Sequence, residues 1–386
     1  MIEELLAKLD PAYTTRLLAD MIRINSVVGN EGELARFLLA ELSALGLDVE
    51  LHEVEPGRPN VYARLQGQGP GKRLNFNGHT DTVPVCEGWQ TDPFTPVVKD
   101  GRMYGLGAND MKAGIACAAA TLKACVESGF TFQGELSLSA VIDEEAYSKG
   151  SKAMMTTDLA GCDAILLAEP YAGDGDMPMP LGITGKVLYD ITVKGHAAHG
   201  FRPQLGINAV EEAATLVAAL DDLSMLDHPQ FGQGNYCTIK FEGGYQVYAV
   251  VVPDRCRVEI NRLLVPGETA ATAIADMESL VASLDLDAEV DVRLKPPQYE
   301  PFLVDRSEEI VGVYHDVYRQ ELGVEPVYTH SAGITDANVF GEQGIPCLHL
   351  GPPRGNVHQP DEYVDLEWLE RLPRMYALIA ARFLAD

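Results

Sequence analysis

Basic residues are scarce in this sequence: 29 lysines and arginines stand against 57 aspartates and glutamates, a formal net charge of -28. That balance excludes a nucleic-acid binder, because phosphate recognition needs a basic surface. It argues equally against docking on anionic membranes. Long hydrophobic runs are missing too. No stretch approaches the ~18 uninterrupted apolar residues of a membrane span. The segment Met1–Asp10 carries three acids and one lysine, without the apolar core or small-residue cleavage site of a secretory signal. Paired cysteine is a third absence. The seven cysteines (Cys86, Cys117, Cys125, Cys162, Cys237, Cys256 and Cys347) are scattered, odd in number and never form Cys-x-x-Cys. The pattern argues against a thiolate metal site and predicts reduced, buried, inert thiols in a cytoplasmic protein. Internal repeats and low-complexity linkers are lacking as well, so Pro70-Gly71 and Pro352-Pro353 read as turns.

What is present suits a globular enzyme. A chain of 386 residues, 46% of them apolar, can bury more than one core. The first half alternates helical and strand patterns. Asp10-Pro11 caps a helix to about Ile24, and Asn30-Glu31-Gly32-Glu33 reads as a capping box opening a helix to Leu45. Strands are predicted at Asp48–Val54, Asn60–Leu65, Arg73–Asn77, Glu135–Val141 and Ala164–Ala168, with an alanine-rich helix at Ala113–Glu127. That alternation predicts an α/β domain. From Lys186 to about Leu294 the order becomes strand (Val187–Val193), helix (Gly206–Leu220), strand (Tyr236–Phe241), strand (Arg255–Leu263), helix (Glu268–Leu284) and strand (Ala288–Arg293). This βαββαβ order is ferredoxin-like. Helix Glu308–Leu322, strand Ile345–Leu350 and helix Leu366–Leu384 follow, the last expected to kink or restart at Pro373. The expected organisation is a catalytic domain in two parts, 1–185 and 296–386, interrupted by a lid at 186–295.

Five short segments carry the chemistry, all outside the insertion: Asn77-Gly78-His79-Thr80-Asp81, Gly107-Ala108-Asn109-Asp110-Met111-Lys112, Asp143-Glu144-Glu145, Ala168-Glu169-Pro170 and Asn356-Val357-His358-Gln359-Pro360. Each alone is weak, since an acidic chain offers such groups by accident. In combination they place two histidines and several carboxylates at the ends of apolar runs, where α/β sheets bind ligands. Imidazole and carboxylate suit zinc, cobalt or manganese in an open hydrolytic site. His79 can ligate a metal while Asp81 orients its ring. Asp110, in a glycine-rich turn before a helix, can bridge two ions. Glu144 and Glu145 diverge along extended backbone, so one can bind metal while the other faces water. Glu169 ends a buried strand, and His358 lies in a Pro/Gly-rich loop. Three carboxylates and one hydroxide balance two divalent cations.

At these segments the sequence resembles the two-zinc aminoacylase and carboxypeptidase family, which includes acetylornithine deacetylase, succinyl-diaminopimelate desuccinylase and glutamate carboxypeptidase. The resemblance runs from the N-terminal helices to His358-Gln359-Pro360-Asp361-Glu362-Tyr363. It implies a zinc-exopeptidase-like catalytic domain interrupted by a ferredoxin-like lid and dimerisation domain. It further implies that His79, Asp110 and Glu169 hold one metal and Asp110, Glu145 and His358 the other. Asp81 then supports His79, and Glu144 is general base and acid. Gly195-His196-Ala197-Ala198-His199-Gly200 resembles the family segment whose second histidine, here His199, reaches a partner subunit's active site and stabilises the oxyanion. Arg262 matches a position that often binds a substrate carboxylate. Two departures stand out: Tyr248-Ala249-Val250-Val251 lacks a frequent substrate-contacting asparagine, and Asn261 replaces a frequent aspartate. The resemblance implies a cytoplasmic homodimer that removes an acyl group from an N-acyl amino acid of acetylornithine type. A dipeptidase or carboxypeptidase of the same chemistry is the alternative.

Overall fold

The computed structural model describes residues 1–171, 173 and 177–385. The chain forms two compact units, one comprising 1–181, 304–329 and 335–386, the other 182–303 and 330–334. Among the described residues no helix is long and apolar enough to cross a membrane.

The first unit is built on a six-stranded sheet in the order Asp48–Glu55, Arg58–Gln66, Glu135–Val141, Arg73–His79, Ala164–Leu167 and Cys347–His349. The first two pairings are antiparallel and the other three parallel. The parallel strands are buried along their length, as continuous apolar runs covered on both faces require. Polar side chains on neighbouring strands pair with one another: Asn75 Nδ2 donates to Ser137 Oγ at 2.9 Å and Asn77 Nδ2 to Ser139 Oγ at 2.8 Å. Parallel alignment sends the carboxyl ends of these strands to one edge. There the chain carries His79, the Asp143–Glu145 turn, Glu169 and the loop that follows His349.

The alanine-rich helix forms as expected, over Lys112–Ser128, and ends on left-handed Gly129. Small residues let it lie close on the sheet. A Cβ added at Gly114 would come 2.3 Å from the Ala168 carbonyl oxygen, and one at Gly78 would come 2.8 Å from Ile115. This close approach draws the turn bearing Asp110 toward Glu169. Asp10 caps the helix Pro11–Ile22 through the amides of Ala12 and Tyr13.

Two local expectations are corrected. The capping box expected at Asn30–Glu33 does not form: the helix Gly32–Ala44 starts one residue later, without a side-chain cap, and Asn30 Nδ2 donates to the Asn25 carbonyl at 2.8 Å. The Glu31 carboxylate instead accepts from Arg58 Nε and Nη2 at 2.7 and 2.6 Å, and a buried charge pair outweighs a cap. The helix Leu366–Phe383 runs without interruption through Pro373. Proline removes one backbone donor there, while the buried face of the helix keeps its packing.

The second unit contains a four-stranded antiparallel sheet in the order Tyr236–Gly243, Arg255–Leu264, Gly185–Lys194 and Glu289–Tyr299. With helices Ala209–Ala218 and Ala270–Ser283, this is the ferredoxin-like arrangement that the element order predicted. Val187, Tyr189, Ile191 and Val193 alternate inward along the central strand and meet Ala213, Leu216, Ala273 and Met277 from the helices.

Candidate two-metal active site

The first unit brings together all five expected ligands. His79 ends its strand with its ring buried. Its Nε2 lies 3.1 Å from Asp110 Oδ1 and 3.5 Å from Glu169 Oε1. The His358 Nε2 lies 3.4 Å from the other Asp110 oxygen, Oδ2, and 3.0 Å from Glu145 Oε1. One carboxylate therefore faces two imidazoles, and each imidazole faces one further glutamate. The possible ligand atoms of His79, Asp110 and Glu145 lie within 4.8 Å of one another, as do those of His79, Glu144 and Glu169.

Local backbone geometry aims these groups. The turn after strand Glu135–Val141 has Asp143 at φ +70°, and the Asp143 carbonyl accepts from Ala146, Tyr147 and Ser148. His358 also has positive φ, +59°, a conformation that folds its loop back over the strand ends. Asp81 acts differently from the expected ring support. His79 Nδ1 pairs with the Asp81 backbone carbonyl at 2.9 Å, while the Asp81 carboxylate stands 3.7 Å away. That carboxylate accepts the backbone N–H groups of Glu144 at 3.2 Å and Glu145 at 3.0 Å. It holds the two-glutamate turn rather than the imidazole.

The electrostatics fit divalent cations. Burial and the neighbouring Glu169 charge raise the Glu144 carboxyl well above its ordinary range, and burial and Asp110 do the same to Glu169. Burial opposes protonation of His79, yet Asp110 and Glu169 hold its pKa well above the ordinary value. Hydrogen bonds to Asp110 and Glu145 push His358 up to about 10. Among the described residues no lysine or arginine pairs with Asp110, Glu144, Glu145 or Glu169. A nest of buried and half-buried carboxylates with no basic partner among the described residues, lined by imidazole nitrogens, has the donor set and the field that two divalent ions neutralise.

Three supporting groups carried no role in the sequence reading. Glu362 is buried and accepts from the backbone N–H groups of Gly107, Asn109 and Asp110, each at 2.8 Å. It is placed by a small sheet in which Tyr363 pairs with Tyr104 and Asp365 with Arg102. Arg58 Nη2 reaches Asp143 Oδ1 at 2.9 Å and ties the glutamate turn to Glu31. Asn109 Nδ2 donates to the Pro353 carbonyl at 2.9 Å and fastens the Asp110 turn to the loop of His358. Each contact joins residues far apart in sequence; the acidic Asp361-Glu362 pair beside His358 was the one visible signal.

Two expected residues lie in the second unit. His199 is exposed, and its Nδ1 accepts the Phe201 backbone N–H at 3.2 Å. Arg262 is fully buried. Its Nη2 donates to Glu268 at 2.6 Å, Asp276 at 3.0 Å and the Ser224 carbonyl at 3.2 Å, and its Nη1 to the Tyr189 hydroxyl at 3.1 Å. The expectation that Arg262 receives a substrate carboxylate is therefore corrected. Its guanidinium closes the core of its own unit, already paired with two carboxylates.

Similarity to known proteins agrees with this geometry. A succinyl-diaminopimelate desuccinylase of Cupriavidus necator is 29% identical over 386 residues, covering 96% of this chain and 99% of its own length. A tripeptidase from Staphylococcus aureus has the same fold, with a TM-score of 0.78 at 22% identity over 98% of this chain and 99% of that one. A dinuclear metal binding peptidase of the M20 family from Bacillus subtilis matches with a TM-score of 0.71 at 16% identity, over 97% and 99% of the two chains. The family model described as peptidase family M20/M25/M40 matches residues 75–382. With that match spanning most of its length, and the family's chemistry matched by the cluster around Asp110, the chain belongs to peptidase family M20/M25/M40.

Proposed function

We propose that this protein hydrolyses the amide bond of an N-acyl amino acid, using two divalent ions held by His79, Asp110, Glu145, Glu169 and His358. The observation that carries the reading is the Asp110 carboxylate, whose two oxygens face different histidines. His79, Asp110 and Glu169 would hold one ion, and Asp110, Glu145 and His358 the other. Zinc is the first choice, with cobalt or manganese accepted by the same ligands. Two such ions lower the pKa of water and polarise a carbonyl.

The chain's own groups do the rest. Glu144 takes a proton from the attacking water and returns it to the leaving nitrogen. Asp81 fixes Glu144 and Glu145 through their backbone amides. His199 of the partner subunit donates to the developing oxyanion, the family resemblance being the ground for this assignment. Its Nδ1 accepts from Phe201, which places the proton on Nε2. The assembly is a homodimer formed through the second unit. Exposed apolar side chains support that, namely Phe201, Val247 and Tyr248 together with Ile239 and Phe241 on the edge strand Tyr236–Gly243. Free, mostly buried cysteines support a cytoplasmic setting. The name of the Cupriavidus necator relative favours a succinyl group as the acyl portion.

Hydrolysis of N-acetyl, N-succinyl and other N-acyl amino acids, alongside dipeptides, tests the reading on metal-stripped and metal-reloaded protein. Turnover of an acyl-amino acid restored by zinc or cobalt is expected. Turnover of dipeptides alone would move the assignment to a peptidase. Glu144→Ala should keep its metal content while losing roughly 100- to 10,000-fold in kcat; a fully active variant would remove Glu144 as the base.

A further inference from the structure

With Arg262 engaged in its own unit and Arg58 paired with Glu31 and Asp143, the exposed Arg354 is the arginine to consider for a substrate anion. It lies on the loop between strand Cys347–His349 and His358, and this loop is tightly fastened. A Cβ added at Gly351 would come 2.1 Å from the Glu169 carbonyl oxygen, so the loop crosses directly over Glu169. The Gly351 N–H donates to the Tyr171 carbonyl at 3.0 Å, and the Tyr171 N–H to the Glu169 carbonyl at 2.6 Å. The Pro353 carbonyl, one residue before Arg354, is held by Asn109 beside Asp110. Arg354 is thus bracketed by segments bearing three of the five ligands, Asp110, Glu169 and His358.

Its side chain is oriented by an aromatic neighbour. The guanidinium carbon stands 5.3 Å from the Tyr171 ring centroid, and Nη2 is 3.4 Å from the Tyr171 hydroxyl. The Tyr171 ring in turn packs edge-on against His349, with centroids 5.0 Å apart. Arg354 is exposed and makes no ion pair among the described residues. In a chain of net charge -28, most of whose arginines do pair with acids, an arginine that has no acidic partner among the described residues and stands on an aromatic ring is suited to take an anion. Stacking on a ring leaves the in-plane N–H fork for a carboxylate.

We propose that Arg354, steadied by Tyr171, is the group that recognises a substrate carboxylate, so the preferred substrates carry a carboxylate apart from the scissile amide. This rests on the amidohydrolase reading above. The carboxylate belongs either to a dicarboxylic acyl group or to the amino-acid portion.

The test compares wild type, Arg354→Gln and Arg354→Lys on zinc-loaded protein. The substrates are N-succinyl-L-alanine, N-acetyl-L-alanine and N-succinyl-L-alanine amide, with Ala-Ala and its amide as the peptide pair. Arg354→Gln should raise KM for carboxylate-bearing substrates by roughly 10- to 100-fold with kcat little changed, since a charge-assisted bidentate contact is lost. Arg354→Lys should recover part of that loss. A penalty that disappears with the acetyl substrate places the carboxylate on the acyl group, and one that disappears with the amides places it on the amino acid. Equal penalties on charged and capped substrates, or none, would overturn the proposal. If wild type cleaves nothing in the panel, the amidohydrolase reading fails by itself. Calorimetric titration of zinc-loaded protein with succinate and with alanine then decides Arg354, because equal affinities for wild type and Arg354→Gln would exclude it.

Discussion

Asp110 illustrates how much one side chain can do once its neighbours are fixed. Burial opposes its charge, but hydrogen bonds from His358 and His79 outweigh burial and hold its carboxyl below the ordinary carboxylate range. Replacing it with asparagine removes the charge and leaves one oxygen for two histidines. Asp110→Asn should therefore lose bound metal at both positions, read by elemental analysis after dialysis against zinc; unchanged metal content would remove Asp110 as a shared ligand. His349 shows the opposite case, a buried group kept neutral. Its Nε2 lies 3.1 Å from Thr335 Oγ1, and burial pushes its pKa from 6.5 down to about 3. The unfolded chain protonates this ring as pH falls through about 6.5, whereas the folded chain does not until about 3. The stability it contributes is thus full above the unfolded value and is lost as pH falls through that window. Between about pH 7 and pH 5.5, in chelator, wild type should lose ~1 kcal/mol more than His349→Gln in urea unfolding. Parallel losses would show that this ring is not what titrates.

At the level of elements, regular structure was legible where periodicity and flanking residues agreed. The strand runs ending in His79 and Val141 and the helix after Asp110 formed within a few residues of their expected bounds. Caps and loops were less legible, because they depend on distant partners. Glu31 sits inside a segment with the sequence of a capping box and serves instead as an ion-pair partner, since Arg58 stands 27 residues away in sequence and next to it in space. Glu362 organises a turn more than 250 residues upstream through three backbone amides. The loop after His349 depends on close backbone approach, which gives a direct prediction. Gly351→Ala forces a methyl into the Glu169 carbonyl and should cost ~1–3 kcal/mol of stability, read as a lowered urea midpoint. It should also weaken metal binding, because Glu169 must move; a variant matching wild type in both would show that the loop yields freely.

Across the whole molecule, the antiparallel sheet of the second unit has edge strands Tyr236–Gly243 and Glu289–Tyr299, and on the first of them Ile239 and Phe241 are exposed. The same unit exposes Tyr248 at 95% and Phe201 at 81%. A homodimer through this unit would cover such surface, and sedimentation velocity should give twice the chain mass at micromolar concentration. Tyr248→Asp and Phe201→Asp together should shift that equilibrium toward the single chain by burying unpaired charge in the contact. A wild-type monomer would refute the dimer, and would also leave His199 without the role assigned to it.

The sequence by itself determined the class of element at most apolar runs, the ferredoxin-like order of the second unit, and the five segments whose acids and histidines meet in the candidate site. These are local properties: periodicity sets the element, and an acid or histidine after a buried strand marks a strand end. Tertiary structure alone decided which side chains meet and which are already engaged. It turned the Asp81 carboxylate into an anchor for the glutamate turn and left the imidazole to the Asp81 backbone carbonyl. It gave Glu362 its three backbone donors and closed Arg262 inside a buried ion-pair network. The physical reason is that a charge's role is fixed by the partners it meets after folding, and those partners come from anywhere along the chain.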